Sequence, residues 1–562
     1  MIKVGFNGKN FVVLCEKYEA EWPKNAPARR WNDKRMEWTL PAVRINANYI
    51  KEKEGIFISD NAKAKIKELE RIYDEISKET KPLSWEKFPF KLPCRNYQSI
   101  GLQRISGSLS FAFFMDMGTG KTKMVVDWAV NQYMNKRIKA TVVVVPSTIK
   151  KNWVKELDKH CPVLFDAHIL LAGKYEQFKK WTPKSEQAMK WLIVGVESFS
   201  AGRSASLVQA FVSKTKAAVI VDESSKIKNA SALRTKACIK LSNLAVSRGI
   251  MSGTPVNNNI GDLFSQFEFL NPNIIGAGSY YNFKNRYFVM GGYEDKEIIG
   301  YKNVEEVINS VSPFIYQVRK KDVLKEIPDK VFQERVIKLS AQQKKIYKQI
   351  ISDMLINTEE GSNEISNTLE KCLRLQEVTG GFYTTAICDP ERPELVVYQK
   401  HGIPGPNPKV TEVLNIINET DEQIIIWAIF KSEIDIIVDA IVKEYGPGKV
   451  VVISGKIKEN DRNANIDKFQ NGSARFMVAN PSVGGIGIDL TAGTVNIYFS
   501  NNFNLEIRLQ SEDRSHRHGQ KNVVTYIDIV AEKTVDVKII KALKNKQNFS
   551  DYVKDQFEEI FM

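Results

Sequence analysis

The stretch Phe111-Ala-Phe-Phe-Met-Asp-Met-Gly-Thr-Gly-Lys-Thr122 begins as an apolar run and stops at a glycine-rich turn, after which a helix-compatible segment follows. This order predicts a buried strand, a loop and the start of a helix. The glycines let backbone N–H groups curl around a phosphate chain, and the positive end of the helix dipole faces the same place. A plain strand–turn–helix is the alternative, because Met115 stands where the strict phosphate-loop pattern has glycine.

The candidate nucleotide ligands in this loop are five consecutive residues: Gly118, Thr119, Gly120, Lys121 and Thr122. Lys121 would reach the β- and γ-phosphates, and the Thr122 hydroxyl would bind Mg²⁺. Gln98, about twenty residues earlier, is a candidate for the N6 and N7 edge of adenine, because a carboxamide donates and accepts together. The loop therefore predicts ATP and Mg²⁺ as cofactors.

A second apolar strand, Ala217–Val221, ends in Asp222-Glu223 about a hundred residues after the loop. Strand and helix patterns alternate between the two, which predicts a parallel sheet with helices on both faces. Ligands of such sheets bind at the carboxyl ends of the strands. Asp222 is therefore a candidate Mg²⁺ ligand, and Glu223 a candidate to orient and deprotonate the attacking water. The alternative is an ordinary acidic loop.

Two arginines mark the second half of the chain, in Gln510-Ser-Glu-Asp-Arg514-Ser-His-Arg517-His-Gly-Gln520. A spacing of three places Arg514 and Arg517 on one face of a predicted helix. Planar guanidinium groups match phosphate oxygens, so the pair can clamp a triphosphate as arginine fingers do. The alternative is a basic, solvated helix face.

Composition points to a phosphate-rich partner. The 562 residues suffice for about three or four domains. Lys and Arg outnumber Asp and Glu by 81 to 66, which gives a net charge of +15 and favours nucleic acid. The six cysteines show no C-x-x-C spacing, and no apolar run is long enough to span a bilayer. We expect a cytoplasmic protein, located at a nucleoid or in a host cytoplasm.

The ordered motifs resemble those of superfamily-two helicase-like ATPases. The segment Asp222-Glu-Ser-Ser-Lys-Ile-Lys-Asn229 and the turn Ser252-Gly-Thr-Pro-Val-Asn-Asn258 are most similar to the Swi/Snf-like branch. The resemblance implies an α/β fold with two tandem RecA-like lobes, each a parallel sheet flanked by helices, and helical protrusions from them. Ser224-Ser225 and Met115-Asp116 depart from the branch's usual residues.

The resemblance also implies further site residues. Gly484–Ala492 is similar to the fifth motif of the family and residues 510–520 to the sixth. Three of their members are thereby implied in the nucleotide site: Gly487, Asp489 and Gln510. Loop residues after strands are the candidate DNA contacts, because hydroxyl, ammonium and backbone N–H groups suit phosphates without reading sequence. They are Ser147, Thr148, Lys150, Asn152 and Trp153 in the first lobe, with Gly455 and Lys456 in the second.

The expected domains are 1–85, a small α+β module; 86–310, the ATP-binding lobe; 311–408, a crossover and helical protrusion; and 409–562, the second lobe. Within the first, residues 30–41 predict a hairpin carrying Trp31 and Trp38 beside basic residues. The tryptophans either stack on bases or form the core of the module. The arrangement is similar to the small domain of annealing helicases, which implies a preference for branched or forked DNA.

The activity implied by the resemblance is ATP hydrolysis to ADP and phosphate, stimulated by double-stranded or forked DNA and coupled to translocation. Two alternatives stay open. One is a strand-separating DNA or RNA helicase of the same superfamily, and the other is a scaffold that binds DNA without hydrolysing ATP. We expect a monomeric motor that binds DNA without sequence preference.

Overall fold

The strand Ser110–Met115 explains why the apolar stretch is continuous. In this computed structural model its alternate side chains enter two different cores. Phe111 and Phe113 pack on one face of the sheet, where Phe111 meets the Trp128 ring with centroids 4.7 Å apart. Phe114 packs on the opposite face. A strand buried on both faces needs an apolar residue at every position, unlike a half-exposed strand.

The structure describes residues 1–78, 83–171, 173–181, 185, 187–201, 203–292, 297–356, 364–389, 392–455, 457, 459–484 and 488–559. The chain divides into two units, of which the first contains residues 1–323 with 549–562 and the second residues 324–548. Among the described residues, no helix combines the length and the apolarity that crossing a lipid bilayer requires.

The N-terminal part of the first unit is a small module with its own sheet. Its elements are β1 (Lys3–Phe6), β2 (Asn10–Leu14), α1 (Glu21–Lys24), β3 (Arg30–Asn32), β4 (Glu37–Pro41), α2 (Arg44–Lys51), β5 (Phe57–Ile58) and α3 (Asp60–Ser77). The sheet order is β3-β4-β2-β1-β5. The predicted hairpin is present as β3–β4, with Trp31 opposite Trp38 in the register.

The remaining elements of the first unit alternate between strand and helix over most of its length. They are α4 (Asn96–Ile105), β6 (Ser110–Met115), α5 (Lys121–Met134), β7 (Ala140–Val145), α6 (Lys150–His160), β8 (Phe165–Leu170), α7 (Tyr175–Lys179), β9 (Met189–Gly195), α8 (Arg203–Lys214), β10 (Ala217–Asp222), α9 (Leu233–Ser242), β11 (Ser247–Ser252), α10 (Asp262–Leu270), α11 (Tyr280–Tyr287), β12 (Phe288–Gly291), β13 (Glu297–Tyr301), α12 (Val304–Val311), β14 (Ile315–Val318) and α13 (Lys320–Val323).

Seven of these strands form one parallel sheet in the order β14-β6-β11-β10-β7-β9-β8. Two apolar cores cover its opposite faces. The strand β14 lies beyond residue 310, where the ATP-binding lobe was expected to end, yet it pairs with β6 in this sheet. The strands β6, β11, β10 and β7 are consecutive neighbours in the sheet, so the loops that follow them lie along one edge of it.

The second unit repeats the architecture. Its elements are β15 (Lys330–Ile337), α14 (Ala341–Ile356), α15 (Glu364–Gly380), β16 (Phe382–Asp389), β17 (Arg392–Gly402), α16 (Pro408–Asn418), β18 (Ile424–Trp427), α17 (Lys431–Tyr445), β19 (Val450–Ile453), α18 (Glu459–Gln470), β20 (Phe476–Ala479), α19 (Pro481–Gly484), β21 (Val495–Tyr498), α20 (Leu505–Ser515), β22 (Val524–Ala531) and the start of α21 (Val535–Glu559).

Six of its strands form a parallel sheet in the order β15-β22-β21-β18-β20-β19. Its two faces are again covered by separate apolar cores. The predicted fold class, two α/β lobes with a small N-terminal module, is confirmed. The region from 273 to 400 also contains two antiparallel hairpins, β12–β13 and β16–β17, that the sequence did not predict.

Candidate active site in the first unit

The three candidate motifs of the first unit lie on three neighbouring strands. The glycine loop follows β6, the Ser252-Gly-Thr turn follows β11, and the Asp222-Glu223 pair ends β10. Ser252 pairs with Phe114 across β11 and β6, and Asp222 pairs with Met251 across β10 and β11. Because all three strands are parallel, their carboxyl ends meet at one edge of the sheet, where ligands of such folds bind.

The glycine loop adopts the backbone conformation that glycine favours. Gly118 and Gly120 have φ of +82° and +85°, and Lys121 begins α5 directly after them. The Lys121 ammonium donates to the carbonyl oxygens of Met115 at 2.7 Å and Asp116 at 3.3 Å. The loop therefore presents a helix N-terminus and a lysine together, the combination that binds phosphate.

Gln98 lies against this loop. Its Oε1 accepts from the Arg95 backbone N–H at 3.0 Å, and its Nε2 donates to the Thr119 carbonyl at 3.1 Å. A Cβ at Gly120 would come within 2.3 Å of the Gln98 Nε2, so any other residue there would force the carboxamide to shift. Both ends of the carboxamide therefore contact protein, and a role toward adenine stays a prediction.

Asp222 is held by two hydrogen bonds. Its Oδ2 accepts from the Trp153 indole Nε1 at 2.8 Å, and its Oδ1 accepts from the Glu223 backbone N–H at 2.9 Å. Burial raises the pKa of the Asp222 carboxyl, while the indole, the charge of Lys121 and the Glu223 N–H oppose that rise. A carboxylate whose two oxygens are both held in place by donors is suited to serve as a ligand for a cation.

The donor set fits Mg²⁺. Asp222 supplies a carboxylate, and Thr122, in the first turn of α5, supplies a hydroxyl. Within the described ranges there is no group of three or more His, Cys, Asp or Glu side chains that could hold a metal. Magnesium in nucleotide sites needs no such group, because one or two carboxylates and the substrate phosphates complete its oxygen shell.

Trp153 lies in the core and not on the surface. It was expected to contact DNA, but it is 1% exposed and its indole N–H is bonded to Asp222. The prediction of a direct contact is wrong, because the first turn of α6 points this side chain into the core beneath the sheet. The other candidates in this segment, Ser147, Thr148, Lys150 and Asn152, lie half-buried or exposed where α6 begins.

Ser147, in the loop after β7, is hydrogen-bonded to a residue that the sequence did not predict. The Ser147 backbone N–H and hydroxyl both donate to Glu197 Oε2, at 3.0 and 2.6 Å. Glu197 follows β9, the neighbour of β7 in the sheet, fifty residues along the chain. Only strand order brings the two together, so no local sequence signal could have identified the pair.

The serines after the acidic pair are buried. The Ser224 hydroxyl donates to Gln266 Oε1 on α10 at 2.6 Å, and Gln266 in turn donates to the Pro255 carbonyl at 2.8 Å. Gln266 thereby links the segment after β10 to the segment after β11. Gln266 could not be predicted from the sequence, because a glutamine on an apolar helix carries no motif of its own.

Arg514 and Arg517 lie together in the second unit, though not on one helix. Helix α20 ends at Ser515, so the prediction that both share a helix face is wrong. His516 leaves the helical conformation, and the chain turns before Arg517. Arg517 Nη1 donates to the Ile488 carbonyl at 3.2 Å, and the Leu490 N–H donates to the Arg514 carbonyl at 3.1 Å.

The fifth and sixth motifs are therefore neighbours. Asp489, which is exposed, lies 3.8 Å from Arg517 Nε and accepts from the Thr491 backbone N–H at 3.1 Å. The Gln510 side chain donates to Glu506 one turn earlier at 3.2 Å.

Gly455, a candidate DNA contact of the second lobe, is exposed after β19. The candidates Gly487 and Lys456 lie outside the described residues.

Two protein-family models match this chain. Residues 101–380 match the model of the SNF2-related domain, and residues 408–519 match that of the helicase conserved C-terminal domain. Together the two models cover well over half of the chain and define a helicase-like ATPase. The chain belongs to the SNF2-related, or SWI2/SNF2-type, family of these ATPases.

Several relatives are similar at 24 to 27% identity. An uncharacterized ATP-dependent helicase of Mycoplasma genitalium is 27% identical over 77% of this chain, and an ISWI chromatin-remodeling complex ATPase of Arabidopsis thaliana is 24% identical over 80%. A TATA-binding protein-associated factor of Saccharomyces cerevisiae is 25% identical over 83%. The chain spans only 39, 41 and 28% of the lengths of these proteins.

Among solved structures, the Sulfolobus solfataricus SWI2/SNF2 ATPase core in complex with dsDNA matches 84% of this chain and 97% of its own. It has 23% sequence identity and a TM-score of 0.38.

Proposed function

We propose that this protein is an ATP-driven motor that moves along double-stranded DNA without reading its sequence. The observation that carries the proposal is the convergence of the glycine loop, the Ser252 turn and the Asp222-Glu223 pair at one edge of the first parallel sheet. A non-hydrolysing scaffold would not need the lysine, the metal-binding carboxylate and a second carboxylate held beside each other.

The roles in the first unit follow from charge. Lys121 would neutralise the β- and γ-phosphates, since its ammonium lies at the start of α5 beside the loop. Thr122 and Asp222 would hold Mg²⁺, which supplies positive charge to the phosphate oxygens. Glu223 has φ of +52°, a left-handed conformation that costs a non-glycine residue energy. That backbone turn directs Glu223 separately from Asp222, as a base for the attacking water requires.

The second unit would contribute the arginines. We infer that Arg514 and Arg517 stabilise the charge that develops on the transferred phosphoryl group, since planar guanidiniums offer donors that match its oxygens. Contacts with residues 488–490 hold this segment against the fifth motif.

DNA would bind along the loops that follow the strands. The turn Ser147–Ile149 offers the Thr148 hydroxyl, and the Lys150 ammonium follows at the start of α6. The Ser147 N–H and hydroxyl would exchange Glu197 for a phosphate oxygen when DNA binds. These groups contact phosphates and specify no base. We therefore expect the logarithm of DNA affinity to fall linearly with the logarithm of salt concentration. A flat dependence would contradict the electrostatic account.

The test is the ATPase rate of the purified chain with no nucleic acid, duplex DNA, single-stranded DNA, forked DNA and RNA. Stimulation by duplex or forked DNA supports the proposal. Stimulation by single strands or RNA alone would favour a strand-separating or RNA helicase instead. No turnover under any condition would leave the scaffold as the remaining interpretation.

A preference for forked DNA is favoured by the N-terminal hairpin. Trp31 is 38% exposed, and its ring lies 5.1 Å from that of Trp38 at 53°. The neighbouring Arg30, Lys34 and Arg35 side chains are exposed. The alternative, that both tryptophans form the core of the module, does not fit Trp31, because the core is built from other residues and Trp38 packs only at its margin. The Trp31 indole N–H donates to Asp33 at 2.6 Å, which leaves the exposed ring to stack on an unpaired base while the nearby cations contact phosphates.

Removing residues 1–85 would be a poor test of this preference. The module packs on the first lobe, where the Arg44 Nη2 donates to Ser310 at 2.9 Å and the Ile45 N–H donates to the Gly276 carbonyl at 3.2 Å. Deletion would expose that surface. Trp31→Ala is sharper, with Tyr18→Ala as the control because Tyr18 is also an exposed aromatic of the module, at 81%.

We expect Trp31→Ala to weaken binding to forks about tenfold relative to duplex DNA, since stacking on one base is worth ~1–3 kcal/mol. Tyr18→Ala should keep the ratio of the two affinities. Equal losses for fork and duplex, or no loss, would remove the hairpin from fork recognition.

A further inference from the structure

Trp153 and Asp222 are 69 residues apart in sequence and share a buried hydrogen bond. The indole Nε1 lies 2.8 Å from Asp222 Oδ2, with Trp153 1% and Asp222 7% exposed. The other carboxylate oxygen accepts from the Glu223 N–H at 2.9 Å. Each oxygen of Asp222 thus has a fixed donor, so rotation of the carboxylate would break both bonds.

We propose that Trp153 is a positioning residue that holds the Asp222 carboxylate in the orientation the metal requires and couples it to the DNA-facing end of α6. The inference rests on the proposed function, because it takes Asp222 as the Mg²⁺ ligand. Trp153 follows Lys150 and Asn152 within the first turn of α6, and the strand before that helix, β7, neighbours β10. A shift of α6 on DNA would therefore reach Asp222 through one side chain.

Simple packing is the competing explanation, and the chain offers a matched control for it. Trp191 on β9 belongs to the same apolar core as Trp153 and is fully buried. Its indole N–H has no hydrogen-bond partner in the part of the chain that the structure describes. Trp153→Phe and Trp191→Phe remove similar volume from one core, but only the first removes a donor to Asp222.

The primary experiment measures the affinity for a fluorescent ADP analogue with Mg²⁺ and with EDTA. In Trp153→Phe we expect the gain in affinity that Mg²⁺ provides to fall about tenfold, since a hydrogen bond to a charged group is lost. Affinity in EDTA should be unchanged. Trp191→Phe should keep the wild-type values in both buffers, with thermal unfolding confirming that each variant is folded.

The coupling is measured as the ratio of the ATPase rate with saturating duplex DNA to the rate without it. Trp153→Phe should lower this ratio, whereas Trp191→Phe should preserve it. Identical Mg²⁺ gains and identical ratios in the two variants would overturn the inference. If instead the wild-type chain shows no turnover with any nucleic acid, the proposed function fails, while the ADP measurement still decides whether the indole supports metal binding.

A spectroscopic measurement covers the case in which Trp153→Phe does not fold. In the ¹⁵N-labelled wild-type chain, the indole N–H signal of Trp153 is identified as the one displaced by Asp222→Asn. That signal should move when Mg²⁺ and ADP are added together, beyond any shift caused by ADP in EDTA. An unmoved Trp153 signal would overturn the positioning role.

Discussion

The Lys121 ammonium donates to the carbonyl oxygen of Met115 at 2.7 Å and thereby ties the start of α5 to the last residue of β6. The Lys121 side chain thus bridges the two ends of the glycine loop, because the loop lies between Met115 and Lys121. Its ammonium is held by the carbonyl oxygens of Met115 and Asp116, which both lie on the β6 side of the loop. A phosphate chain cradled by the loop would meet an ammonium that is already placed.

Lys121→Ala should abolish turnover, because it removes the charge nearest the β- and γ-phosphates. We expect a loss of about a hundredfold or more in kcat, the scale seen when one preorganised donor is removed. The measurement is ATPase activity with saturating duplex DNA. Lys139→Ala, which removes an exposed lysine before β7, should retain the wild-type rate. Substantial turnover in Lys121→Ala would disprove the site assignment.

Glu223→Gln should separate binding from hydrolysis. The amide keeps the size of the side chain but cannot accept the proton of the attacking water, so kcat should fall about 10²- to 10⁴-fold. Affinity for an ATP analogue should stay close to wild type. Glu305→Gln, an exposed substitution on α12, serves as the control. Parallel losses of binding and turnover would assign Glu223 to binding instead.

Arg514→Ala and Arg517→Ala should each lower kcat by about a thousandfold, the low end of the effect of an arginine finger. Lysine at either position should restore little, because it lacks the planar fork of donors. Nucleotide affinity in EDTA should change far less than turnover. Lys521→Ala removes an exposed charge nearby and should be neutral. If both arginine variants hydrolyse ATP normally, the second unit does not take part in chemistry.

Glu433 makes the stability of the second unit depend on pH. It is fully buried, its Oε2 accepts from the Ser500 hydroxyl at 2.6 Å, and burial raises its pKa from 4.5 to about 7 against the charge of Lys409. The folded state therefore holds the proton more tightly than the unfolded state. Stability is fully present below pH 4.5 and declines as pH rises toward 7, by on the order of 3 kcal/mol.

Glu433→Gln removes this ionisation, so its unfolding temperature relative to wild type should rise by several degrees between pH 5 and pH 8. Asp439→Asn, an exposed substitution on the same helix, should show no such pH-dependent difference. The measurement is calorimetric unfolding of the full chain at both pH values. A difference that is constant with pH would show that Glu433 is not protonated when buried.

Asp528 anchors a buried ion pair. Its Oδ2 accepts from Arg508 Nη2 at 3.0 Å, and the Arg508 guanidinium lies 3.5 Å from the centroid of the Tyr498 ring. Asp528→Ala would leave a buried cation with less compensation and should cost about 3–5 kcal/mol of unfolding free energy. Glu419→Gln breaks an exposed pair with Arg335 and should cost at most about 1 kcal/mol. Denaturant unfolding of both variants compares them; equal costs would contradict the burial argument.

Some features could be predicted from the sequence because they depend only on residues that are close together along the chain. Continuous apolar runs at 111–115 and 217–221 indicate strands covered on both faces, and both runs do form interior strands of a parallel sheet. Glycines at 118 and 120 indicate a backbone with positive φ, which both adopt. The strand–helix alternation and the order of the motifs were enough to predict the fold class.

Other features depended on which elements become neighbours. Trp153 looked like a surface residue beside lysines, but helix α6 packs so that its indole meets Asp222 on a strand 69 residues away. The spacing of Arg514 and Arg517 suggested one helix face, yet α20 ends between them and contacts with residues 488–490 position them instead. Helical spacing predicts a shared face only while the helix continues.

The sequence by itself determined the two α/β lobes, the phosphate-binding loop and the acidic pair, because periodicity and glycine conformation are properties of neighbouring residues. Only the tertiary structure decided that Trp153 serves Asp222 rather than the surface, and that Glu197 and Gln266 hold the loops after β7, β10 and β11. A hydrogen bond between distant residues forms when strand order and helix packing bring donor and acceptor within about 3 Å. No pattern along the chain encodes that distance.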